Sequence, residues 1–406
     1  MKKPLLHALS LSFGLPLLAL LLSLSPPRIS LIRPIIPLPG NDTTPAATLQ
    51  VSGSQVTLKL YPVLLQGHYT NMNLEWQSTV NGLPGQKGVL LHRNLSPTGP
   101  TSIVIPLRLP PANDEMMLQV TGRLASTPGN KQNPPLFTTH LPLRPWRGDY
   151  SIPSAGNLSF TDSNNIFTIN ASKTLVRFDK QTGWLLHYEA GGAILMGDTA
   201  GLRSDLGLAD TLAPRLQLFF ASTGSQIVII RAEYTLPAIN CLLHLSYTLN
   251  GAGDMLVEQT LETDTSGSTH TDIATGAHPD PTLPRFGMTW ILPQGLDSVS
   301  WYGADDKGIA GITPPVKLAR ETGPLTGIAN ATSSIFRGVR WLALKGHSGQ
   351  GLRIIADSSL LQLTFLPPDT TPGQLHPQVL ALGIYGTMYP TTQRRFTYSY
   401  KVVSRR

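Results

Sequence analysis

Between Leu283 and Gly303, apolar and polar positions trade places at every step. Phe286, Met288 and Trp290 alternate with Arg285, Gly287 and Thr289. That is the period of a strand with one buried face. Pro293, Gln294 and Gly295 supply turn chemistry, and a second run places Val299 and Trp301 between Ser298, Ser300 and Tyr302. The pattern predicts a hairpin with Phe286, Trp290 and Trp301 on its core face. Three further runs, Ile227 to Leu236, Cys241 to Leu249 and Met255 to Leu261, are separated by Pro237-Ala238-Ile239-Asn240 and Asn250-Gly251-Ala252-Gly253-Asp254. They predict a three-strand meander. No long helical period interrupts these short strands, so the chain reads as all-β.

The wording of several segments adds a family likeness. Leu-Pro-Arg-Phe-Gly from Leu283, followed by Val-Ser-Trp-Tyr-Gly ending at Gly303, resembles the C-terminal supersandwich of the large bacterial β-galactosidases. In two-chain members that domain is a separate small chain. Phe167 to Tyr188, with its Phe178-Asp179-Lys180-Gln181-Thr182-Gly183 turn, is similar to the strand pair that opens the same domain. Gly338 to Leu352 resembles a later strand pair, and Asn81 to Leu109 the small sandwich upstream. The resemblance spans Leu49 to Val403. It implies an immunoglobulin-like sandwich followed by a galactose-mutarotase-like β-supersandwich.

Departures from the family pattern fall at three places. Its Gly-Pro-x-Glu-x-Tyr loop is replaced here by Gly303, Ala304, Asp305, Asp306, Lys307 and Gly308. Its Asp-Asn-Asp loop becomes Arg203, Ser204 and Asp205, and its C-terminal Gly-Gly-Asp loop becomes Gly383 to Pro390. By the likeness these are loop residues, so the scaffold is kept while the functional surface has changed.

The first residues have a different character. Lys2 and Lys3 precede Leu5 to Leu24, an apolar stretch without an acid. Its length of about 20 residues suits an export signal or a membrane span. Pro26 and Pro27 follow at once and disfavour cleavage, which points to a signal anchor over a removed signal peptide. The expected organisation is 1–25 signal anchor or signal peptide, 26–47 Pro-rich linker, 48–145 immunoglobulin-like sandwich, 146–158 linker and 159–406 supersandwich. The expected location is the bacterial cell envelope, membrane-anchored through residues 5–24 or periplasmic.

Charged residues make up only 14% of the 406, below the ~25% usual for globular domains. The net charge of +7 comes from scattered Lys and Arg. Without a basic cluster interleaved with aromatics, nucleic acid is not an expected partner. The one cysteine, Cys241, begins an apolar strand and reads as a buried thiol.

Catalysis is the open question. Retaining glycosidases hold two carboxyl groups about 5–5.5 Å apart. The family keeps that pair in a (β/α)₈ barrel, which takes about 250 residues of alternating strand and helix. No such segment is present. Glu258 and Glu262 share a strand face about 13 Å apart by strand rise. The chain alone is therefore not expected to hydrolyse glycosides. A weaker alternative is a mutarotase-like isomerase with His270 and Glu321 as the proton-transferring pair, since a histidine beside a carboxylate suits that chemistry. No metal-ligand spacing and no phosphate loop is found, so neither metal nor cofactor is expected.

Aromatic side chains beside loops can stack on pyranose rings while neighbouring carboxylates take the hydroxyls. Trp301, Tyr302, Asp305, Tyr385 and Tyr389 are the carbohydrate-binding candidates. The expected function is a non-catalytic, small-chain-like module that binds a galactoside-like carbohydrate or a partner glycosidase subunit. A purely structural envelope role is the further alternative.

Overall fold

Alternation becomes sheet along nearly every stretch that carries it. The structure, a computed structural model, describes residues 47–406 apart from 53, 63–69, 110–113, 125–133, 149–150, 172, 191–192, 197–202, 206–213, 238–240, 264–286, 293–294, 305–317, 326–334, 348, 358–360, 367–380, 387–394 and 406. Among the described residues the first seven strands are β1 (Ala47–Ser52), β2 (Gln55–Leu60), β3 (Thr70–Val80), β4 (Leu83–Asn94), β5 (Thr101–Ile105), β6 (Met116–Leu124) and β7 (Phe137–Arg144). They form a three-stranded sheet, β1-β2-β5, and a four-stranded sheet, β4-β3-β6-β7. The residues that alternate inward, such as Val56, Leu58, Leu60, Leu74, Trp76, Leu118 and Val120, make one core. The β3–β4 hairpin turns on Asn81 (φ 48°) and Gly82 (φ 78°). Two positive φ angles in a row match the right-handed twist of the strands they join.

The second half continues with β8 (Leu158–Asp162), β9 (Ile166–Ala171), β10 (Thr174–Asp179), β11 (Leu185–Ala190), β12 (Ala193–Met196) and β13 (Arg203–Asp205). Next come β14 (Arg215–Thr223), β15 (Ile227–Leu236), β16 (Cys241–Asn250), β17 (Met255–Thr263), β18 (Gly287–Ile291), β19 (Leu296–Ala304) and β20 (Leu318–Pro324). The last are β21 (Ile335–Val339), β22 (Trp341–Gly346), β23 (Gly351–Ala356), β24 (Leu361–Leu366), β25 (Ala381–Gly386) and β26 (Arg395–Arg405). Three sheets result: β14-β15-β16-β17-β26-β23-β22-β19-β20, β13-β18-β25-β24-β21 and β12-β11-β10-β9-β8. All three contribute to a second core that includes Phe178, Tyr188, Tyr234, Tyr247, Trp290, Phe365 and Tyr400. The chain is thus all-β, a two-sheet sandwich followed by a larger supersandwich of three sheets.

The meander forms as the pattern predicts. β15, β16 and β17 pair antiparallel in sequence order, with strictly alternating burial along β15. Asn250 closes the second turn by accepting at Oδ1 from the backbone N–H of Ala252 (3.1 Å) and Asp254 (2.9 Å). Cys241 is buried at the start of β16. The β10–β11 turn is held by Asp179, whose carboxylate accepts from the Gln181 N–H (2.8 Å) and the Thr182 hydroxyl (2.9 Å).

The predicted hairpin over Leu283 to Gly303 is corrected. β18 pairs with β13 and β25, whereas β19 pairs with β20 and β22. The two runs therefore belong to different sheets. Each strand does bury the expected face: Met288, Trp290 and Val299 are core residues. Phe286 lies outside the described residues. Two supposed loops are also strand: Arg203–Asp205 is β13, and Gly383 to Gly386 closes β25. Among the described residues no helix is long and apolar enough to cross a membrane, and residues 5–24 lie outside them.

Candidate functional site

β19 carries most of the candidate chemistry, and its two faces meet different surroundings. Val299 and Trp301 point into the supersandwich core, while Tyr302 points the other way. Sequence alternation assigns Tyr302 to solvent, yet it is fully buried. The cover is the first sandwich.

Tyr302 donates its phenol to Glu115 Oε2 at 2.5 Å. Glu115 is itself buried, at the entry to β6. Arg340, between β21 and β22, meets the same carboxylate: Nε donates to Oε1 (3.1 Å) and Oε2 (3.0 Å), and Nη2 donates to Oε1 (2.6 Å). Its Nη1 donates to the Gly338 carbonyl at 2.6 Å. Arg340 and Arg320 both lie over the Tyr302 ring, at 5.7 and 5.6 Å from its centroid. Arg320 Nε also donates to the Asn81 carbonyl at 2.5 Å. Trp146 packs edge-on to Tyr302 and donates its indole N–H to the Ala356 carbonyl at 3.1 Å. Burial, and then the Glu115 charge, push the Tyr302 phenol well above its ordinary pKa. This cluster joins the two sandwiches. Its carboxylate is fully engaged and its phenol is held neutral, so neither is poised to react with a ligand.

Trp301 sits differently. It is half-buried, packs against the core and meets Phe336 at 4.7 Å with planes inclined by 64°. Phe336 in turn meets Phe365 edge-on at 5.9 Å. Directly opposite Trp301 on the edge strand β20 stands Glu321, which is exposed. An aromatic ring and an exposed carboxylate thus share one row at the open end of the nine-stranded sheet. Other neighbours of Trp301 on that face are Val299 and Gly303 along β19, Leu342 on β22 and Gly323 on β20. None brings a second carboxyl group.

The remaining candidates separate. Tyr385 is on β25 and 1% exposed, so it offers no ring face to a sugar. Tyr302 fails as a sugar platform for the same reason: both rings are covered by a second layer that the alternation of one strand does not register. Asp305, Tyr389 and His270 lie outside the described residues. Glu321 pairs across to Trp301, whose indole is no acid or base near neutral pH, and not to a histidine.

A further polar group stands on the meander. On the outer face of the meander His244 stands between two carboxylates, with Nε2 3.3 Å from Glu262 Oε1 and Nδ1 3.7 Å from Glu233 Oε1. Arg395 Nε lies 3.9 Å from Glu262 Oε2. Glu258 and Glu262 share β17 as expected. Glu115, Arg340 and Arg320 escape sequence reasoning, because each is a single charge with no local repeat to mark it. Among the described residues no group of three or more His, Cys, Asp or Glu is arranged to hold a metal ion.

Comparison with known proteins gives one sequence match. Residues 170–307 match the family described as beta galactosidase small chain. No curated protein matches the chain in sequence. Among solved structures, galactose 1-epimerase from Lactobacillus acidophilus NCFM is similar at 9% identity and a TM-score of 0.36, over 62% of this chain and 99% of that one. A candidate aldose 1-epimerase (b2544) from Escherichia coli K12 is similar at 9% identity and a TM-score of 0.38, over 61% and 99%. A variant of the GH36 alpha-galactosidase AgaA from Geobacillus stearothermophilus is similar at 10% identity and a TM-score of 0.36, over 59% of this chain and 40% of that one.

Proposed function

We propose that this chain, whose residues 170–307 match the β-galactosidase small chain, is a non-catalytic module that binds a galactoside-like carbohydrate in the cell envelope. The observation that carries the reading is the pairing of half-buried Trp301 with exposed Glu321 on adjacent strands. A pyranose stacks its C–H face on an indole, and a neighbouring carboxylate accepts from its hydroxyls. Phe336 packs against the indole and restrains its orientation. Hydrolysis by the retaining route needs two carboxyl groups about 5–5.5 Å apart, and the strand neighbours of Trp301 supply one. The basic pair Lys2-Lys3 ahead of the acid-free run Leu5 to Leu24 supports the envelope location, membrane-anchored or periplasmic.

The test is calorimetric titration of the pure protein with galactose, lactose and a galactan oligosaccharide, run beside an assay for nitrophenyl galactoside hydrolysis. Binding without turnover is expected. Trp301→Ala should abolish it and Glu321→Gln should weaken it, the second with no change in melting temperature. Nitrophenol release by pure protein would overturn the non-catalytic reading. Binding indifferent to both substitutions would remove the site, and a glycosidase chain that co-purifies would favour the partner-subunit role.

A further inference from the structure

The nine-stranded sheet ends on two very different edges. β20 carries Arg320, Glu321 and Pro324. Charges and proline are what natural sheets use to stop an open edge from pairing with another chain. β14, at the opposite end, pairs only with β15 among the described residues, and from Leu216 to Thr223 it holds neither a charge nor a proline. Leu216, Phe219 and Ala221 pack inward against the core. Leu218 and Phe220 point outward and are 45% and 49% exposed. An unguarded edge that also shows two large apolar side chains is a template for strand addition.

We propose that β14 pairs with β14 of a second copy of this chain, antiparallel, about a twofold axis through Phe219. The outward pair Leu218 and Phe220 makes the edge self-complementary about Phe219, which selects the occupant, and the charges beside the strand favour the same register. Leu218 lies opposite Glu233 on β15, and Phe220 opposite Arg231. With the axis at Phe219, Leu218 of one copy faces Phe220 of the other. Each row across the joint then reads Arg231, Phe220, Leu218, Glu233, an apolar pair bracketed by opposite charges, and the twofold repeats it in reverse. An axis at Leu218 would set Glu233 against Glu233, and one at Phe220 would set Arg231 against Arg231. The bulge between Leu216 and Leu218 lies beyond this central triplet. A contact made by one strand edge is small beside the ~1,600 Å² of a standard interface, so the dimer is reversible and set by concentration. The inference does not depend on sugar binding at Trp301.

Sedimentation of the full chain over a concentration series, in one detergent buffer throughout, tests it. The mean mass of the protein should climb from one chain to two. Phe220→Lys should raise the midpoint concentration at least tenfold, while Val104→Lys, an equally exposed position on β5, should leave it unchanged. A single mass at all concentrations, or association untouched by Phe220→Lys, would overturn the proposal. Cysteine variants read the register, since native Cys241 is buried. Under mild oxidation Leu218→Cys mixed with Phe220→Cys should cross-link, and neither should cross-link alone. A disulfide formed by Phe220→Cys on its own would refute the axis at Phe219.

Discussion

Arg340 donates to both carboxylate oxygens of Glu115, although 225 residues separate the two along the chain. Their side chains are 11% and 1% exposed. A planar guanidinium matched to a carboxylate fixes orientation as well as distance. The pair therefore sets how the first sandwich sits on the outer face of the second, and Tyr302 completes the carboxylate's hydrogen bonds from the strand below.

Glu115→Ala should be among the most damaging single changes in the molecule. It strands a guanidinium in a buried joint, and loss of one partner of a buried pair typically costs about 3–5 kcal/mol. Replacing both charges with apolar side chains of similar volume, Glu115→Met with Arg340→Leu, should restore much of the loss, because no desolvated charge remains. Urea unfolding of the two single variants and the double variant measures this. A double variant less stable than either single one would show that the pair itself, and not the stranded charge, carries the stability.

The turn beneath that joint gives a second prediction. A Cβ added at Gly82 would run into the Tyr302 ring, and the backbone there has φ +78°. Gly295 has φ +96° but nothing within 4 Å of an added Cβ. Both Ala variants meet left-handed strain of about 1–2 kcal/mol. Only Gly82→Ala also displaces Tyr302 from Glu115. It should therefore lose more stability than Gly295→Ala, and the excess should vanish in a Tyr302→Ala background. Thermal melts of the four variants decide it.

The pattern of residues foretells faces better than neighbours. In β15 to β17 the two coincide, since short turns force sequential strands to pair. In β18 and β19 the alternation is right and the predicted pairing is not, because strand partners are chosen by the whole sheet. Tyr302 departs from its predicted exposure for a related reason. Alternation says which side chains share a face, but not that a sandwich some 190 residues upstream covers it. Glu115 has no local mark at all. Of the proposed sugar site, Trp301 and Glu321 are each legible as residues, but their adjacency requires the β19–β20 register.

Trp290 supplies a third test. It is fully buried, and its indole N–H donates to the Tyr400 hydroxyl at 3.0 Å. That hydroxyl in turn donates to Met288 Sδ at 3.5 Å. Tyr400→Phe keeps the shape and removes the acceptor, leaving a buried donor unmet at a cost of about 1–3 kcal/mol. A shift in the near-ultraviolet tryptophan signal should accompany the loss. An unchanged melting temperature would mean the indole has found another acceptor.

High pH should unfold the protein steeply. Tyr188, Tyr234, Tyr247, Tyr302 and Tyr400 all have phenols raised above their ordinary value of 10.0. Burial is the leading cause in each, with the Asp254, Asp179 and Glu115 charges adding to it at Tyr188, Tyr234 and Tyr302. In the folded state these groups keep their protons where the unfolded chain has lost them. The unfolded state then binds fewer protons, so stability falls as pH rises, by about 1.4 kcal/mol per pH unit for each such tyrosine. The stabilising contribution is complete below pH ~10 and drains away above it. Circular dichroism during alkaline titration should show a sharp, cooperative loss of sheet, and tyrosinate absorbance should rise in the same step. Ionisation of all eleven tyrosines near pH ~10 while the sheet signal holds would mean that these five phenols are open to solvent and that the cores are not closed as described.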